Sequence, residues 1–554
     1  MPARRLLPVA VLVLGMAVSF VTLLVHSRGV WFWADDWDLL FLRGIIPQYD
    51  VGLFAPHNSH WFTGHVLVYR LIFSVFGMGS YTPYAVAAIV VHLTIVSFTF
   101  VLLRRVGAGA WIAVMTALMV AFFGLGANAE IYAASMNHTG ALLFGVVGAY
   151  LAATGDLTLR RQALVSISLL ASIMFGLTGL AMFAFVGTFI AARHTVVRAV
   201  RCVAPPAVVF VAWFLLSGRS SGIYSVTPQT DLTSTIPAIP GYVWAGLTGT
   251  LGEGSGLTGA GPILVGILIA GLALYTGENR PLLHLAWAGV VADIFQLVIV
   301  GVARFDFGPT QLGTSHYSYI NIVLLAPAIA LVGTMLSRFR GRPRARAAVL
   351  AAILFVAYAL NGVTYLRKWQ DDFTLLTGGG RNIALGIKAG VANGQKVLTQ
   401  RNPDPYNTHL IPRYVATPQI LRSLPDRQPS EQGRLNADSY FFTGVGTTDY
   451  QMAGPSTVTP YAGLAEGTLV SGCQRVRTTA PEPILQVVTG DAGTEIVLWS
   501  DSTTIKTRLV RGDAEGPTMD WKAVPGAMHV ATSVPNSTMF VSFNGTGTVT
   551  LCLP

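Results

Sequence analysis

The segment WFWADDWDLL, residues 31–40, places three carboxylates within four positions directly after a long apolar run. On a helix, Asp35 and Asp38 lie on one face, with Asp36 beside them. Crowding of carboxylates raises the pKa of at least one of them. A carboxylate tuned in this way can accept a proton from an attacking hydroxyl, so Asp35 and Asp36 are candidate catalytic residues and Asp38 is a candidate substrate-binding residue. The alternative is a helix cap or an interfacial salt bridge without a catalytic role.

The next segment, APHNSHWFTGH, combines histidines with an amide and an aromatic ring in His57, Asn58, His60 and Trp61. Histidines three residues apart can share a metal ion with nearby acids. They can equally hydrogen-bond a sugar or a phosphate, with Trp61 offering a flat face for stacking. Because no third ligand follows at a fixed spacing, substrate binding is favoured over a metal site. A purely structural histidine pair remains the third interpretation.

Two later segments, GANAEIYAASMNHTG and ARFDFGPTQLGTSHYSYIN, carry further polar clusters between apolar runs. The candidate substrate-binding residues in them are Glu130, Asn137, His138, Arg304, His316 and Tyr317. Arginine binds phosphate oxygens in a bidentate manner, so Arg304 beside His316 and Tyr317 could hold a lipid phosphate. Anchoring of helix ends at the membrane interface by arginine and tyrosine explains the same residues equally well.

Composition indicates a polytopic membrane protein. Hydrophobic residues make up 52% of the 554 residues and charged residues only 11%, with a mean hydropathy of +0.56. In soluble domains, about a quarter of the residues are charged. The net charge of +10 comes largely from short arginine tracts between apolar runs, a topology pattern that argues against nucleic-acid binding. No Gly-x-x-x-x-Gly-Lys-Ser/Thr loop occurs in the sequence, which argues against an ATP-driven pump.

Apolar runs predict about eleven transmembrane helices, since a span needs roughly 20 apolar residues. They lie near residues 6–28, 83–103, 108–126, 139–154, 162–177, 179–193, 200–217, 260–277, 282–303, 319–337 and 346–366. Residues 64–80 are also apolar, but the run is short and contains His65 and Arg70, so we expect a helix lying in the interface. Residues 218–259, rich in Gly, Ser and Thr, are expected to form a flexible loop.

The arginine tracts predict the orientation of the chain. With a cytoplasmic amino terminus, every tract falls on the cytoplasmic side, as the positive-inside rule requires. These residues are Arg4, Arg5, Arg104, Arg105, Arg160, Arg161, Arg193, Arg198, Arg201, Arg280, Arg338, Arg340, Arg342, Arg344 and Arg346. The first span is then an uncleaved signal anchor in the plasma membrane. Residues 29–82 and everything after residue 366 lie on the extracytoplasmic side.

After a transmembrane domain over residues 1–366, the chain changes in composition. Residues 367–460 are predicted to form a mixed, loop-rich connector, and residues 461–554 a β-sandwich, because short alternating runs are separated by turn residues. These runs include EIVLWSD, TTIKTRLV, HVATSV and TMFVSFNGTGTVTLCLP. Cys473 and Cys552, near the first and last strands, are expected to form a disulfide in an oxidising compartment.

The chain resembles the GT-C superfamily of membrane glycosyltransferases. The resemblance consists of an amino-terminal span, an outer loop opening with Asp35 and Asp36, the segments HNSHW and LVYRLIFSVFG, about eleven spans and a carboxy-terminal outer domain. Members include protein O-mannosyltransferases, the lipid A aminoarabinose transferase and arabinofuranosyltransferases. The tail is similar to the carbohydrate-binding-type sandwiches of some members. The architecture covers residues 1–366, and the motifs are confined to the first outer loop.

The resemblance implies a polyprenyl-phosphate-linked sugar as donor and a cell-envelope glycan, glycolipid or protein as acceptor. It makes Asp35 the general base, and Asp36 a residue that supports it or binds the acceptor. Arg304 and His316 would bind the donor phosphate. No nucleotide cofactor is implied, and a divalent metal is not favoured, because a lipid phosphate is already a good leaving group.

Two other functional classes remain open. A flippase or exporter of lipid-linked glycan would use the acids and histidines to line an exit, but it needs polar residues along a continuous path through the spans. The helices near residues 83–126 and 346–366 are apolar and favour this class less. A non-catalytic scaffold would use its tail to bind envelope polysaccharide, and loss of the acids would then change nothing.

Overall fold

The structure is a computed structural model. It describes residues 3–58, 60–218, 232–303, 315–337, 344–398, 410–447, 450–452, 456–462, 464, 472–500, 502–524, 526–544 and 548–553. Arg304 and the amino-terminal part of the last arginine tract lie outside these ranges.

The described residues form long helices first and short helices and strands afterwards. The helices are α1 (Ala3–His26), α2 (Asp35–Phe41), α3 (Thr63–Phe76), α4 (Thr82–Arg105), α5 (Ala110–Ala121), α6 (Ala127–Ile131), α7 (Met136–Ala153), α8 (Leu159–Ile173), α9 (Thr178–Arg193), α10 (Val196–Trp213), α11 (Leu232–Gly254), α12 (Gly261–Ala273), α13 (Arg280–Ala303), α14 (Ser315–Leu336), α15 (Arg344–Ala392), α16 (Pro412–Val415), α17 (Pro418–Ser423) and α18 (Glu431–Phe441). The strands are β1 (Pro56–His57), β2 (His60–Trp61), β3 (Thr443–Gly446), β4 (Ser456–Ala462), β5 (Gly472–Arg477), β6 (Ile484–Thr489), β7 (Thr494–Ser500), β8 (Thr504–Arg511), β9 (Ala514–Glu515), β10 (Met519–Lys522), β11 (Gly526–Thr532), β12 (Thr538–Phe543) and β13 (Thr548–Leu553).

A helix lies at each of the eleven predicted spans. Among the described residues, six helices are long and apolar enough to cross a membrane, and seven if the bent pair α5 and Gly124–Ile131 counts as one span. Three shorter apolar helices accompany them, α3, α9 and α12. The helix predicted over residues 64–80 is therefore present as α3. The chain is a multi-pass helical membrane protein with a carboxy-terminal β-sheet region.

The prediction of a flexible loop over residues 218–259 is wrong for the described part of this segment, because α11 occupies most of it. Glycine and threonine suggested flexibility, but they also allow helices in membranes to pack closely. A Cβ at Gly246 would lie 2.5 Å from the Leu297 side chain, so the glycine lets α11 approach α13. Tyr242 and Leu251 of the same helix are buried. Tertiary packing decides the conformation here.

The chain divides into two compact units. Unit 1 comprises Met1–Gly29, Val51–Ile72 and Thr82–Asp372, and unit 2 comprises Val30–Asp50, Phe73–Tyr81 and Phe373–Pro554. The sequence assigned all of residues 29–82 to the transmembrane domain, whereas the structure places two parts of this loop in unit 2.

Unit 1 is a bundle of helices packed through small residues, as expected in a membrane. A Cβ at Gly145 of α7 would lie 2.3 Å from Met182 of α9. At Gly289 of α13, a Cβ would lie 2.1 Å from the carbonyl oxygen of Leu324 on α14. These close approaches pack the helices against each other, and α7, α9 and α14 among them carry polar residues of the candidate site.

In unit 2, a hydrogen bond and a ring contact attach the early segments to the carboxy-terminal part. The backbone N–H of Trp31 donates to Thr377 Oγ1 at 3.1 Å. Ring centroids of Phe41 and Tyr414 lie 5.4 Å apart. The residues directly before and within α2 are thus fixed by side chains more than 300 positions later, as the separation of 346 between Trp31 and Thr377 illustrates.

The strands of unit 2 form two antiparallel sheets. One has the order β10-β8-β12-β6-β4 with β9 paired to β8, and the other has the order β3-β11-β7-β13-β5. Burial alternates along the strands, for example on β8 and β12, so each buries one face. Cys473 and Cys552 face each other on β5 and β13 and form the expected disulfide.

Asp438 on α18 joins this helix to the sheet through two arginines. Its carboxylate is fully buried, with Arg434 at 3.1 Å and Arg511 of β8 at 2.7 Å. Burial raises the pKa of Asp438, and the two arginines offset this rise in part. Because the pKa is higher in the folded than in the unfolded state, the stabilisation from this group is fully present below the unfolded pKa of about 3.9. It is lost as pH rises through the folded pKa.

We therefore expect Asp438→Asn to flatten the pH dependence of stability above pH 4. Wild-type protein should lose several degrees of its thermal midpoint over this range relative to the variant, since about 1 kcal/mol corresponds to roughly 2–4 °C in a domain of this size. Tryptophan fluorescence of the purified full-length protein during heating at several pH values measures this. Asp513→Asn, at an exposed position, serves as the control. Parallel curves for wild type and Asp438→Asn would contradict the expectation.

Candidate functional site

The chain turns sharply at Ala34 before the acidic helix α2 begins. Ala34 has φ 44° and ψ −115°, a sparsely populated conformation that costs a non-glycine residue about 1–3 kcal/mol. Two hydrogen bonds of 3.0 Å close the turn, from the Asp36 N–H to the Trp33 carbonyl and from the Trp37 N–H to the Ala34 carbonyl. Backbone strain of this kind concentrates at functional sites. The turn places Asp35 at the first position of the helix.

The three carboxylates of α2 have different environments. Asp36 is fully buried, and its Oδ2 accepts the Trp33 N–H at 3.0 Å. Asp38 is 2% exposed, whereas Asp35 is partly exposed. A general base must reach the hydroxyl of its substrate, which favours Asp35 among the three. Asp36 closes the turn, so it supports the position of its neighbour.

In unit 1, the HNSHW motif forms a hairpin. His57 pairs with His60, and Pro56 pairs with Trp61. Asn58 has φ 47°, a conformation that asparagine adopts readily and that tight hairpin turns require. The structure thus gives Asn58 a backbone role in the turn. His57 is buried, and its ring stacks on Phe62 with centroids 4.8 Å apart.

Trp61 does not offer the open stacking face that the sequence suggested. Its ring is 4% exposed and stacks on Trp213 of α10, with centroids 5.0 Å apart and an interplanar angle of 4°. Its Nε1 donates to Thr63 Oγ1 at 2.8 Å. Trp213 Nε1 in turn donates to the Phe54 carbonyl at 2.8 Å. The expectation is wrong because the packing partner, 152 residues away, cannot be read from the local sequence.

Several predicted residues of unit 1 do come together in what we call the histidine cluster, made of His60, His138, Thr178, His316 and Tyr317. The rings of His138 and His316 stack with centroids 4.9 Å apart, and His316 lies 4.2 Å from Tyr317. His60 lies 6.3 Å from His138. A hydrogen bond of 2.9 Å joins His138 Nδ1 to Thr178 Oγ1. All three histidines are partly exposed.

The histidine cluster lies where three helices begin. Helix α7 starts at Met136, α9 at Thr178 and α14 at Ser315, so His138, Thr178 and His316 belong to their first turns. The dipoles of the three helices give these beginnings a partial positive charge, which attracts anions. At α9 the Gly179 and Leu180 N–H groups themselves donate to the Gly176 and Leu177 carbonyls, both at 2.9 Å. His60 Nδ1 accepts the Leu177 N–H at 3.1 Å, directly before α9. The arrangement is suited to holding a negatively charged group such as a phosphate.

Asn137 and Glu130 differ in their relation to this cluster. The Asn137 Nδ2 lies 3.4 Å from His138 Nε2, and the residue is buried. Glu130 is 1% exposed on α6. A Cβ placed on Gly126 would lie 3.2 Å from Glu130 Oε1 and 2.8 Å from a ring carbon of Tyr319. Glu130 is therefore a neighbour of Tyr319 in the structure. Its predicted role in substrate binding stays a prediction.

Further polar residues pair within the membrane helices, and the sequence did not single them out as a group. His92 Nδ1 lies 2.7 Å from the Tyr319 hydroxyl. The Asn321 amide, oriented to donate, lies 2.9 Å from Asp293 Oδ1 and accepts from Thr250 at 3.0 Å. Polar residues in membrane helices usually face the bundle interior and pair there. Each of these residues occurs singly in an apolar run, so nothing in the local sequence links it to its partner.

Comparisons with known proteins give a limited likeness. No protein family model matches the sequence, and no curated protein matches it. Two crystal structures of ArnT from Cupriavidus metallidurans are similar in fold. The apo form has a TM-score of 0.45 and 14% identity, covering 73% of this chain and 84% of that one. The form bound to undecaprenyl phosphate has a TM-score of 0.44 and 13% identity, covering 74% and 87%. These values do not establish the family or the chemistry of this chain.

Proposed function

We propose that the protein is a GT-C-type membrane glycosyltransferase. It would transfer a sugar from a polyprenyl-phosphate donor to a hydroxyl of an envelope glycan, glycolipid or protein, on the extracytoplasmic face of the plasma membrane. The observation that carries this proposal is the histidine cluster at the beginnings of α7, α9 and α14. A phosphate attached to a membrane lipid is the anion that suits such a site in a helical membrane unit.

The cluster would act on the leaving group. As the bond between the anomeric carbon and the phosphate oxygen breaks, the oxygen keeps the electron pair and the phosphate gains negative charge. The positive dipole ends of the three helices, together with the imidazoles of His138 and His316, are suited to stabilise this charge as it develops. The Thr178 hydroxyl, 2.9 Å from His138 Nδ1, supports the orientation of the imidazole.

Asp35 would act on the acceptor. Its carboxylate takes the proton of the acceptor hydroxyl while the hydroxyl oxygen bonds to the anomeric carbon, and the lipid phosphate leaves. This role is supported by the partial exposure of Asp35, by the strained turn at Ala34 and by the GT-C resemblance of the acidic pair. Asp36 would hold the turn through its bond to the Trp33 N–H.

The experiment that tests the proposal is a transfer assay with full-length protein in nanodiscs. The protein is incubated with a panel of radiolabelled polyprenyl-phosphate sugars and envelope acceptors, and with the corresponding nucleotide sugars as controls. Label moving to an acceptor from a polyprenyl-phosphate donor is the expected result. Transfer from nucleotide sugars alone would contradict the donor class. Movement of intact lipid-linked glycan across liposomes without transfer would favour an exporter.

We expect His138→Ala to weaken donor binding about 10- to 100-fold, because hydrogen bonds to charged groups contribute roughly 1.5–3 kcal/mol. Binding of polyprenyl phosphate to purified protein, measured by competition against a labelled donor, checks this. The matched control is His194→Ala, since His194 is also partly exposed but lies at the carboxy-terminal end of α9. Equal losses in the two variants would argue against a phosphate site at the histidine cluster.

A further inference from the structure

The outward face of the six-stranded sheet in unit 2 carries an unusual set of side chains. On β8, Ile505 and Leu509 are buried, so Lys506 and Arg508 point to the opposite face. On β12, Phe540 lies opposite Arg508, and Ser542 lies opposite Lys506. An aromatic ring, a hydroxyl and two cations therefore stand next to each other on two paired strands.

A β-bulge adds a second aromatic ring. In the pairing of β4 with β6, the register shifts between Pro460 and Ala462, which leaves Tyr461 as the extra residue. Bulges redirect side chains and are typical of functional positions on sheet edges. The Tyr461 ring is 61% exposed and meets Phe540 edge to face, with centroids 4.9 Å apart at 71°. The bulge thus places an exposed tyrosine at one side of the outward face of this sheet.

These residues line a half-open pocket of about 280 Å³. Tyr461 and Phe540 are its aromatic lining residues, and Lys506, Arg508, Ser542 and Thr518 belong to its polar lining. The volume is near the lower end of small-molecule sites, roughly 300–1,000 Å³. Because the pocket is half open, a segment of a longer chain can enter it.

The charges around the pocket are balanced. Arg508 forms an ion pair with Glu515, and Lys506 Nζ lies 3.6 Å from Glu482 Oε1. The Nε of Arg508 is buried and has no hydrogen-bond partner among the described residues. Paired cations and acids leave donors and acceptors for a polar ligand but no net field for a polyanion.

We propose that this pocket binds a neutral glycan. A sugar ring presents an apolar C–H face that packs on aromatic rings, which Tyr461 and Phe540 provide. It also presents neighbouring hydroxyls that need both donors and acceptors, which Arg508, Glu515 and Ser542 provide. The site goes beyond the proposed transfer reaction, because it binds glycan without a donor and without the α2 carboxylates.

The test measures binding of neutral polysaccharides to full-length protein in nanodiscs without any donor. The probes are glucan, mannan, galactan and arabinan fragments, with polygalacturonan as an anionic probe. We expect at least one neutral fragment to bind, with an affinity that falls about tenfold or more in Tyr461→Ala. The matched control is Trp499→Ala, because Trp499 is 51% exposed on β7 of the other sheet. This control should keep wild-type affinity.

The outcomes separate this site from the transfer reaction. Binding that survives Asp35→Asn but is lost in Tyr461→Ala supports the pocket, whether or not transfer is observed. Arg508→Gln is a second variant, and it should also weaken binding while the thermal midpoint confirms folding. The proposal is overturned if no neutral fragment binds, if Trp499→Ala loses as much affinity as Tyr461→Ala, or if only polygalacturonan binds and does so in a salt-sensitive manner.

Discussion

Replacing Asp35 by asparagine is expected to lower the rate of sugar transfer by about 10²–10⁴-fold, the contribution of a positioned general base. Asparagine keeps the size of the side chain but cannot take the proton of the acceptor hydroxyl. The affinity for the polyprenyl-phosphate donor should change little, because the proposed donor contacts lie in the histidine cluster. Single-turnover transfer and donor binding, measured on the same purified protein, separate the two quantities.

Asp36→Asn is the matched control for this prediction. The Asn oxygen can still accept the Trp33 N–H that Asp36 Oδ2 accepts at 3.0 Å, so the turn before α2 is expected to persist. Asp36→Ala removes this acceptor and should cost about 1 kcal/mol of stability, as for other helix-start contacts. Asp36→Asn should therefore keep most of the wild-type transfer rate. If the Asp35→Asn protein keeps it as well, the carboxylates are structural and the base assignment is wrong.

Trp61→Ala is expected to destabilise unit 1 by about 3–5 kcal/mol, the usual cost of deleting a buried tryptophan. The variant loses the stack on Trp213 and the hydrogen bond to Thr63. The hairpin with His57 and His60 would then lose its attachment to α10. Thermal unfolding and limited proteolysis of residues 51–62 measure the effect.

Two variants distinguish this packing role from sugar stacking. Trp61→Phe retains much of the buried ring and should recover most of the stability. Trp111→Ala removes a tryptophan that is 49% exposed and should leave the thermal midpoint nearly unchanged. A Trp61→Ala protein with wild-type stability but weaker sugar binding would restore the stacking role that the sequence suggested.

Much of the fold could be predicted because its signals are local. Long apolar runs require helices in a bilayer, and a helix lies at every predicted span. Alternation along residues 461–554 predicted strands, and β5 to β13 lie there, whereas β3 and most of β4 lie in the segment predicted as a connector. The prediction of a loop over residues 218–259 was wrong because glycine and threonine permit both flexibility and close helix packing. The contact with Leu297 on another helix favours the packed helix.

The candidate site was predictable as residue types but not as an arrangement. The sequence singled out His60, His138, His316 and Tyr317 in three separate segments. Nothing local indicates that His138 and His316 stack at 4.9 Å. The same holds for His92 and Tyr319, which are 227 positions apart and joined at 2.7 Å.

The sequence by itself determined the membrane class, the helical segments, the β-rich tail and the acidic motif at Asp35. Each of these features depends on residue composition, hydrophobic periodicity or a short motif, and such local signals determine secondary structure without reference to distant residues. The tertiary structure alone decided the rest. It buried Trp61 against Trp213, joined residues 30–50 to the carboxy-terminal unit and brought three helix beginnings to one histidine cluster. Such contacts depend on how distant segments pack, and packing is a property of the whole chain.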